Sequence, residues 1–386
     1  MRYSFRLAEL LGHAPDPRKR PGTIKAIVEH TGLDRHQVAA LLKNEVKYIP
    51  LRALSRLCDY LIEHAQVSAD ELPGALFAIE PENFWELLAR RRRLDLCIGV
   101  RRMDMDYPEG ALVMASDSVL LGELLNGVST LGGTAKHRRH KDDNESGRVL
   151  VDTPHPEYLK QSLVWSPGQV ADDTVQERAR FIYKEFDKSS KDKALISLGS
   201  MKSNPVWELM IARAFGCDPF QSQDDVSAPH KRCCPFFFRY RDFDPHPDSC
   251  SGGMGLAKSQ IGDNPGIYYE KADGKWKLSP WDSTTHDTAM VFYVHRESQG
   301  WLEMALGGFS GRATRLLAKT LATRAEDFWP PVYSAHGIQV GAFIVQYTLN
   351  TNEAVDQDIL RTDLVANTQV IPLAAETIER RIKSIG

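Results

Sequence analysis

Residues Thr23–His64 read TIKAIVEHTGLDRHQVAALLKNEVKYIPLRALSRLCDYLIEH and contain three short helical patterns with very short connections between them. Gly32 ends the first pattern, because glycine is the usual residue just past the last turn of a helix. Asp34 predicts the N-cap of the second pattern, and Pro50 predicts the start of the third. Apolar residues recur at helical spacing in each pattern, which predicts one buried face per helix. Those residues are Ile24, Ile27, Val28, Val38, Leu41, Leu42, Leu51, Leu54, Leu57, Leu61 and Ile62.

Two helices joined by a turn of about four residues that contains glycine form a helix-turn-helix motif. The order of the parts resembles the phage-repressor and Cro type (XRE-like) of helix-turn-helix transcriptional regulator over roughly residues 5–65. TIKAIVEHTGL looks like the second helix of that family, DRHQVAALLKNE like its recognition helix and IPLRALSRLCDYL like its packing helix. The stretch FRLAELLGHAP, in the place of the first helix, is short and is followed by a basic, proline-rich loop. Short three-helix domains also serve as protein-interaction modules, which is the alternative.

The resemblance implies that the recognition helix lies in the major groove of DNA, where its N-terminal residues reach base edges. Glutamine can bind adenine through two hydrogen bonds and arginine can bind guanine, so we expect Gln37 and Arg35 to read sequence. Lysines suit phosphates better, and Thr23 suits a helix cap, a phosphate contact or both. The residues predicted to contact DNA are Thr23, Lys25, Arg35, His36, Gln37, Lys43 and Lys47.

A chain of 386 residues is too long for one small domain and predicts two or three. Its hydrophobic fraction of 42% and its charged fraction of 26% are ordinary for a globular protein. The sequence has no apolar run of about 18 residues and no secretory leader pattern, so we expect a protein that does not span a membrane. The six cysteines include no CxxC pair, which suits a reducing cytoplasm.

Charge is unevenly distributed along the chain. Residues 1–64 hold 11 basic and 7 acidic residues, whereas the rest of the chain holds 37 basic and 44 acidic residues. A basic module on an acidic body suits a DNA-binding protein with a separate sensor. The cluster Arg18–Arg20 could be an arm that lies on phosphates or a solvated patch. The run Arg90–Arg93 is predicted to be a solvated helix end, and the alternative is that it extends the DNA-binding surface.

After the arginine run, strand patterns alternate with helical patterns, which predicts an α/β sheet with some antiparallel strands. The predicted architecture is a multidomain α/β protein, in which an all-α helix-turn-helix bundle precedes a Rossmann-like α/β sensor domain with a mixed sheet. We expect the helix-turn-helix domain at 1–66, a helical linker at 67–93, and a ligand-binding or dimerisation domain at 94–386. The polar stretch 134–148 is predicted to be a mobile loop, and QVGAFIVQYTLN is predicted to be the last strand.

Three strand-to-helix turns carry small and polar residues, at 116–118, 199–204 and 307–312. Ligands gather at such turns in open α/β sheets, because the backbone N–H groups and the dipole of a helix N-terminus favour an anion. Ser116 or Asp117 is predicted to cap the first of these helices. The alternative is that glycine, serine and asparagine serve the geometry of the turns alone. The residues predicted to bind a ligand are Ser116, Ser200, Lys202, Ser203, Asn204, Ser310, Gly311 and Arg312.

The sequence carries no familiar signature of a metal site or a catalytic centre. His230, Cys233, Cys234, His246 and Cys250 lie within about 20 residues, but adjacent cysteines suit one tetrahedral ion poorly, and no familiar zinc spacing occurs. The chain also lacks a GxSxG nucleophile elbow, a GxGxxG fingerprint and a Walker loop. We therefore predict no metal and no cofactor, and we assign no catalytic residue.

The leading hypothesis is a cytoplasmic, DNA-binding transcriptional regulator. Its N-terminal module would bind double-stranded DNA, and a homodimer would double the DNA contacts. Its C-terminal domain would either bind a small ligand, for which a nucleotide or a phosphate is a candidate, or serve to dimerise. The second hypothesis is a nucleotide-processing enzyme whose helical module docks it to DNA or to a partner. The candidate groups of such an enzyme would be Ser200, Lys202, Asn204 and Arg312. A protein-interaction adaptor is the third hypothesis.

Overall fold

The computed structural model describes two parts of the chain, an N-terminal helical module and a larger α/β body. The described residues are 3–11, 21–64, 69, 72, 76–103, 110–132, 156–188, 192–222, 233–254, 264–282, 284–296, 300–335, 338–350 and 365–382. The basic cluster Arg18–Arg20 and the polar stretch 134–148 lie outside these residues.

The N-terminal module contains the three predicted helices, a short helix before them and a pair of strands. Its helices are α1 (Leu7–Leu10), α2 (Pro21–Thr31), α3 (Arg35–Leu42) and α4 (Leu51–His64). Strand β1 (Tyr3–Phe5) pairs in antiparallel fashion with β2 (Phe77–Ile79). A segment from the predicted linker therefore returns to pair with the first residues of the module.

Local sequence sets the ends of these helices as predicted. Gly32 follows α2 with a φ of 72°, a left-handed conformation that glycine adopts without steric penalty. Asp34 is the N-cap of α3, and its carboxylate accepts hydrogen bonds from the backbone N–H groups of His36 at 2.7 Å and Gln37 at 2.9 Å. Pro50 directly precedes α4. The turn between α2 and α3 is therefore fixed by residues that the sequence identifies.

One apolar core joins the helices of the module. Of the residues with helical spacing, seven are fully buried in it, namely Ile24, Ile27, Val38, Leu41, Leu42, Leu57 and Leu61. The prediction is wrong for Leu51, which is 81% exposed, and for Ile62, which is 38% exposed. In α4 the buried face is set by Leu57 together with Ala53 and Tyr60, and Leu51 and Ile62 fall outside it.

The body is built on a nine-stranded mixed sheet and a second sheet of four strands. The main sheet contains β3 (Arg93–Arg102), β4 (Ala111–Val113), β5 (Tyr158–Trp165), β6 (Lys193–Leu198), β11 (His286–Arg296), β12 (Trp301–Gly308), β13 (Tyr333–Ala335), β14 (Ile338–Leu349) and β15 (Val365–Pro372). The second sheet contains β7 (Phe236–Arg239), β8 (Gly252–Gly253), β9 (Gly266–Glu270) and β10 (Trp276–Pro280). The order in the main sheet is β13-β14-β11-β12-β6-β3-β4, with β15 beside β14 and β5 beside β3.

Four neighbouring strands of the main sheet, in the order β5-β3-β6-β12, run parallel. Their first residues align in one row, because Arg93 pairs with both Tyr158 and Lys193, and Lys193 pairs with Trp301. The direction of winding reverses between β3 and β6, since the chain passes from β3 outward to β5 and then returns to β6. Such a reversal leaves a crevice at the carboxyl ends of the strands.

Helices cover both faces of the main sheet. They are α5 (Phe84–Ala89), α6 (Ala115–Thr130), α7 (Asp172–Lys188), α8 (Val206–Phe215), α9 (Gly311–Arg324) and α10 (Ala375–Arg381). Helices α5, α6 and α9 pack into the apolar core on one face, and α7, α8 and α10 pack with the second sheet into the core on the other. The predicted α/β architecture with a mixed sheet is confirmed at this level.

Helix α6 begins before the residues predicted to cap it. Met114 is at the N-cap and makes no side-chain cap hydrogen bond, so the prediction that Ser116 or Asp117 caps the helix is wrong. Both residues belong to the first turn and are buried.

The strand predicted to be the last, β14, is not the last strand of the main sheet. Strand β14 is followed by β15 and α10. The segment Val365–Pro372 alternates only partly buried and exposed side chains, so it carries little of the apolar signal by which a strand is recognised in sequence.

The run Arg90–Arg93 is paired with acids rather than simply solvated. Arg91 is 2% exposed and lies 3.0 Å from Asp192, so the prediction of a solvated face is wrong for this residue. Arg90 pairs with Glu86, and Arg93 pairs with Asp95. The run connects α5 to β3, where the adjoining elements supply carboxylates.

Within the described part of the chain, no helix combines the length and the apolar character that crossing a membrane requires.

Strands β6 and β12 approach so closely that their ends tolerate no side chain at Gly307. A Cβ atom there would lie 2.4 Å from the carbonyl carbon and oxygen of Gly199. We expect Gly307→Ala to lower the free energy of unfolding by about 1–3 kcal/mol, measured by guanidinium denaturation.

Gly122→Ala is the matched control for this substitution. A Cβ atom at Gly122 would have no other atom within 4 Å, and the residue lies on the exposed side of α6. We expect this change to raise the free energy of unfolding by about 0.5–1 kcal/mol. Equal effects of the two alanines would contradict the close approach of the two strands.

Candidate functional site

The N-terminal end of α3 presents polar side chains to solvent. Arg35 and His36 are exposed, and Gln37 is half-buried. Opposite them, Val38, Leu41 and Leu42 are buried in the apolar core of the module. Helix α3 is thus anchored by one face while its first turn stays accessible, which is the arrangement that a recognition helix needs.

Gln37 has a second role that its sequence position alone does not reveal. Its side-chain oxygen accepts a hydrogen bond from the backbone N–H of Asp34 at 3.3 Å, which completes a capping box. Bidentate binding to adenine needs both the oxygen and the nitrogen of the amide. The cap bond uses one lone pair of that oxygen and restricts the orientation of the Gln37 amide, whereas Arg35 has no such constraint.

The lysines predicted to contact phosphate differ in their surroundings. Lys47 is exposed, Lys43 is half-buried, and Lys25 is exposed with its ammonium 3.7 Å from Glu29. The side chain of Thr23 lies outside the described part of the module. Tyr48, beside Lys47, is 73% exposed and is a surface aromatic that the helical pattern did not single out.

A cleft with a volume of about 360 Å³ opens at the carboxyl edge of the four parallel strands. The segments that line it follow β3, β4, β5, β6 and β12 and include the first turns of α6 and α9. The residues that matter for its chemistry are Arg101, Ser116, Asp117, Ser166, Gln169, Ser200, Lys202, Ser203, Arg241, Asp244, Ser310 and Gly311. The three turns singled out in the sequence therefore meet in one place.

Close approaches between glycines and their neighbours show how tightly these turns converge. A Cβ atom on Gly311 would lie 3.5 Å from the hydroxyl oxygen of Ser116, so the first turns of α6 and α9 are adjacent. A Cβ atom on Gly199 would lie 2.8 Å from a carboxylate oxygen of Asp117. Gly199 also has a φ of 88°, which favours glycine on its own account. Two helix N-termini consequently face one cleft.

Two of the predicted ligand residues do not line the cleft. Asn204 is fully buried and its amide donates hydrogen bonds to the carbonyls of Cys97 at 2.8 Å and Leu198 at 3.0 Å. The guanidinium of Arg312 donates to the buried carboxylate of Asp287 at 3.1 Å. Asn204 thus holds the turn after β6 in place. Arg312 ties the start of α9 to Asp287, outside the cleft lining.

Lys202 lines the cleft but is already paired. Its ammonium donates to Asp244 at 3.0 Å and lies 4.0 Å from the centre of the Phe309 ring. Burial lowers the pKa of Lys202 to about 8, against the opposing charge of Asp244. Burial alone would raise the pKa of Asp244, but hydrogen bonds from Arg241 and the charge of Lys202 outweigh it and lower that pKa to about 2.

Arg101 is an exposed cation of the cleft. It lies near the end of β3, lines the cleft and, among the described residues, forms no ion pair. Arg101 was not among the predicted residues, although its place near the carboxyl end of a parallel strand was a usable signal. Arg241 and Asp244 were missed because they follow β7, a strand of the second sheet that reaches the cleft only through the fold.

Asp117 is the least satisfied group in the cleft. It is 3% exposed, and its Oδ2 atom has no hydrogen-bond partner among the described residues. Burial raises its pKa to about 6, and the hydroxyl of Ser116, 3.2 Å away, and the charge of Arg101 only partly oppose that shift. A buried carboxylate with an unused oxygen beside a cleft is prepared to accept a hydrogen bond from a ligand.

The raised pKa of Asp117 makes the free energy of unfolding depend on pH. The pKa of Asp117 rises from 3.8 to about 6 on folding, so the folded protein binds the proton more tightly. This contribution to stability is complete below pH 3.8 and is lost as the pH rises through about 6. We expect Asp117→Asn to raise the free energy of unfolding at pH 7.5 by about 1–3 kcal/mol, and to have little effect at pH 4.

Glu123→Gln on the same helix is the control, because Glu123 lies away from the cleft. Denaturation curves of both variants at the two pH values measure the difference. A destabilising effect of Asp117→Asn at pH 7.5 would mean that the carboxylate has a partner that holds it in its charged form.

Of three comparisons with known proteins, one gave a match. Residues 18–62 match the family model of the Cro/C1-type HTH DNA-binding domain, which spans α2, α3 and most of α4. Searches against curated proteins and against solved structures found no match. The resemblance to XRE-like regulators is thus confirmed for the N-terminal module, and the body has to be interpreted from its own geometry.

Proposed function

Starting from a helix-turn-helix DNA-binding domain at residues 18–62, we propose that this protein is a transcriptional regulator that binds a specific DNA sequence and senses a small phosphorylated ligand. The ligand is a nucleotide or a related phosphate ester, and it occupies the cleft at the carboxyl edge of the main sheet. The observation that carries the ligand assignment is the convergence of two helix N-termini on a cleft that also contains Arg101 and the Oδ2 atom of Asp117, which has no hydrogen-bond partner within the described part of the chain.

The surface of the helix-turn-helix domain supports the DNA-binding half of the proposal. Arg35 and His36 extend from the first turn of α3, and Lys47 is exposed just after that helix. We assign Arg35 to a base edge and Lys47 to a phosphate, because a fork of donors suits guanine and a point charge suits the backbone. A homodimer would place two such helices about 34 Å apart on one side of the duplex.

The chemistry of the cleft supports the ligand half. Backbone N–H groups and the dipoles of α6 and α9 favour an anion at Ser116 and Gly311, and the guanidinium of Arg101 adds a full charge. A phosphate group fits these donors. Asp117 offers the opposite chemistry, an acceptor for a hydroxyl or amino group. A ligand with a phosphate and a neighbouring hydroxyl, as in a ribose phosphate, satisfies both.

Asp117 also favours a second function, which is the processing of that nucleotide. A carboxylate whose pKa is raised to about 6 by burial can serve as a general base near neutral pH. In this alternative the helix-turn-helix domain brings an enzyme to DNA. Product analysis after incubation with ATP or NAD separates the two functions, because a sensor leaves the nucleotide unchanged.

The DNA-binding assignment predicts that Arg35 and Lys47 act differently. After a preferred duplex has been selected from random DNA, Arg35→Ala should weaken binding to it by about 1–3 kcal/mol and relax specificity at one base position. Lys47→Ala should weaken binding to all sequences alike. The slope of the logarithm of the binding constant against the logarithm of the salt concentration should become shallower by about one. Fluorescence anisotropy at several salt concentrations measures both effects.

Gln37→Glu is an informative control, because glutamate keeps the capping box and therefore the helix. It adds a negative charge at the surface that faces DNA, so we expect weaker binding at unchanged stability. Failure to select any preferred duplex at moderate salt would contradict the DNA-binding proposal. Identical behaviour of the Arg35 and Lys47 variants would contradict the division of roles.

The ligand assignment predicts that Arg101 contributes directly to phosphate binding. We expect the full chain to bind ADP in isothermal titration calorimetry, and Arg101→Ala to weaken that binding about tenfold or more, the effect of a lost charge-assisted hydrogen bond. Arg102→Ala is the matched control, because Arg102 is the next residue of β3 and does not line the cleft. If both variants lost affinity for ADP equally, or if neither lost any, the assignment would be contradicted.

A further inference from the structure

Three cysteines that are far apart in the sequence meet beside the second sheet. Cys217 directly follows Gly216 at the end of α8, Cys234 lies just before β7, and Cys250 lies just before β8. The Sγ atoms of Cys217 and Cys234 are 3.5 Å apart, and those of Cys234 and Cys250 are 3.8 Å apart. All three Sγ atoms lie within 4.8 Å of one another.

These distances match the edges of a tetrahedron around a zinc ion. With a zinc–sulfur distance of about 2.3 Å, two thiolates on one tetrahedral zinc ion are about 3.8 Å apart. We propose that Cys217, Cys234 and Cys250 bind a Zn²⁺ ion through their sulfur atoms. Each thiol gives up its proton to solvent when the ion binds, and the three thiolates supply the soft ligands that Zn²⁺ accepts.

The surroundings of the trio decide where the fourth ligand comes from. Cys234 and Cys250 are buried, whereas Cys217 is half-buried and so forms the solvent side of the site. A water molecule on that side would complete the four-coordinate site. On the buried side Glu208 is already engaged, since its carboxylate accepts hydrogen bonds from the hydroxyl of Ser249 at 2.6 Å and from the backbone N–H of Cys250. Glu208 thereby holds the segment that carries the third ligand.

The trio explains why the sequence alone gave no metal site. The adjacent pair Cys233 and Cys234 looked unsuitable for one ion, but the trio takes only Cys234 from that pair. Its partner Cys217 is 17 residues earlier in the chain, beyond the cluster that the spacing singled out. His246 packs its ring against that of Tyr240, and His230 lies outside the described residues.

A zinc ion at this position would join the end of α8 to the starts of β7 and β8. Strand β7 leads directly to Arg241 and Asp244, which line the cleft, and Asp244 holds Lys202. The ion would thus fix the second sheet against the main sheet and keep this wall of the cleft in place. This role does not depend on which ligand the cleft binds or on whether the protein binds DNA.

The experiment measures the metal content of the full chain and the signature of its replacement. Protein purified in zinc-containing buffer without chelator and then desalted should contain about one zinc ion per chain by mass spectrometry. After removal of zinc and addition of Co²⁺, the protein should show an intense thiolate-to-cobalt charge-transfer band and the visible bands of tetrahedral cobalt. Cys234→Ser and Cys250→Ser should lose both signals.

Cys58→Ser is the matched control, because Cys58 lies in α4, remote in the fold from the trio. It should keep the zinc ion and the cobalt bands. If the serine variants fail to fold, the metal content and the cobalt spectrum of the unaltered chain still decide the question. Zinc-free protein that takes up no cobalt would overturn the proposal and would mean that the thiols pack together as small apolar side chains.

Discussion

The alignment of four parallel strands is the constraint on which the rest of the body depends. Because β3, β5, β6 and β12 begin in one row, the segments that follow them are gathered at one edge of the sheet. The reversal of winding between β3 and β6 opens the space between those segments. The cleft, its two helix N-termini and the buried carboxylate of Asp117 are consequences of this register. A shift of one strand by one residue would turn its apolar side chains to the wrong face and dismantle the site.

The opposite edge of the same strands carries the link to the DNA-binding module. Asp192, which directly precedes β6, lies 3.0 Å from both Arg6 of the module and Arg91 of the body. All three side chains are largely buried, so this contact is shielded from solvent screening. The length of β6, about 20 Å, separates it from the cleft. A ligand in the cleft would change DNA binding only if it favoured one arrangement of the protein over another.

How much of this could be read from the sequence differs between the two parts. The module was predictable, because its signals are local. Gly32 and Asp34 mark helix ends, and buried residues such as Ile27 and Leu57 belong to apolar patterns at helical spacing. The three strand-to-helix turns at the cleft were predictable as turns. The role of Asn204 in holding one of them was not, because its partners are the carbonyls of Cys97 and Leu198 in two neighbouring strands. Arg101, Arg241 and the cysteine trio could not be found in this way. Their positions depend on which strands become neighbours, and a single sequence does not encode that in any short pattern.

The most direct test of the proposed regulation is whether ligand binding in the cleft changes the affinity for DNA. The dissociation constant of the full chain for its selected DNA duplex should be measured with and without ADP at a concentration that calorimetry shows to saturate the cleft. We expect the dissociation constant to change by about fivefold or more, the usual size of a coupling between two sites. The change should disappear in Arg101→Ala. An unchanged dissociation constant with the cleft fully occupied would mean that the cleft does not regulate DNA binding.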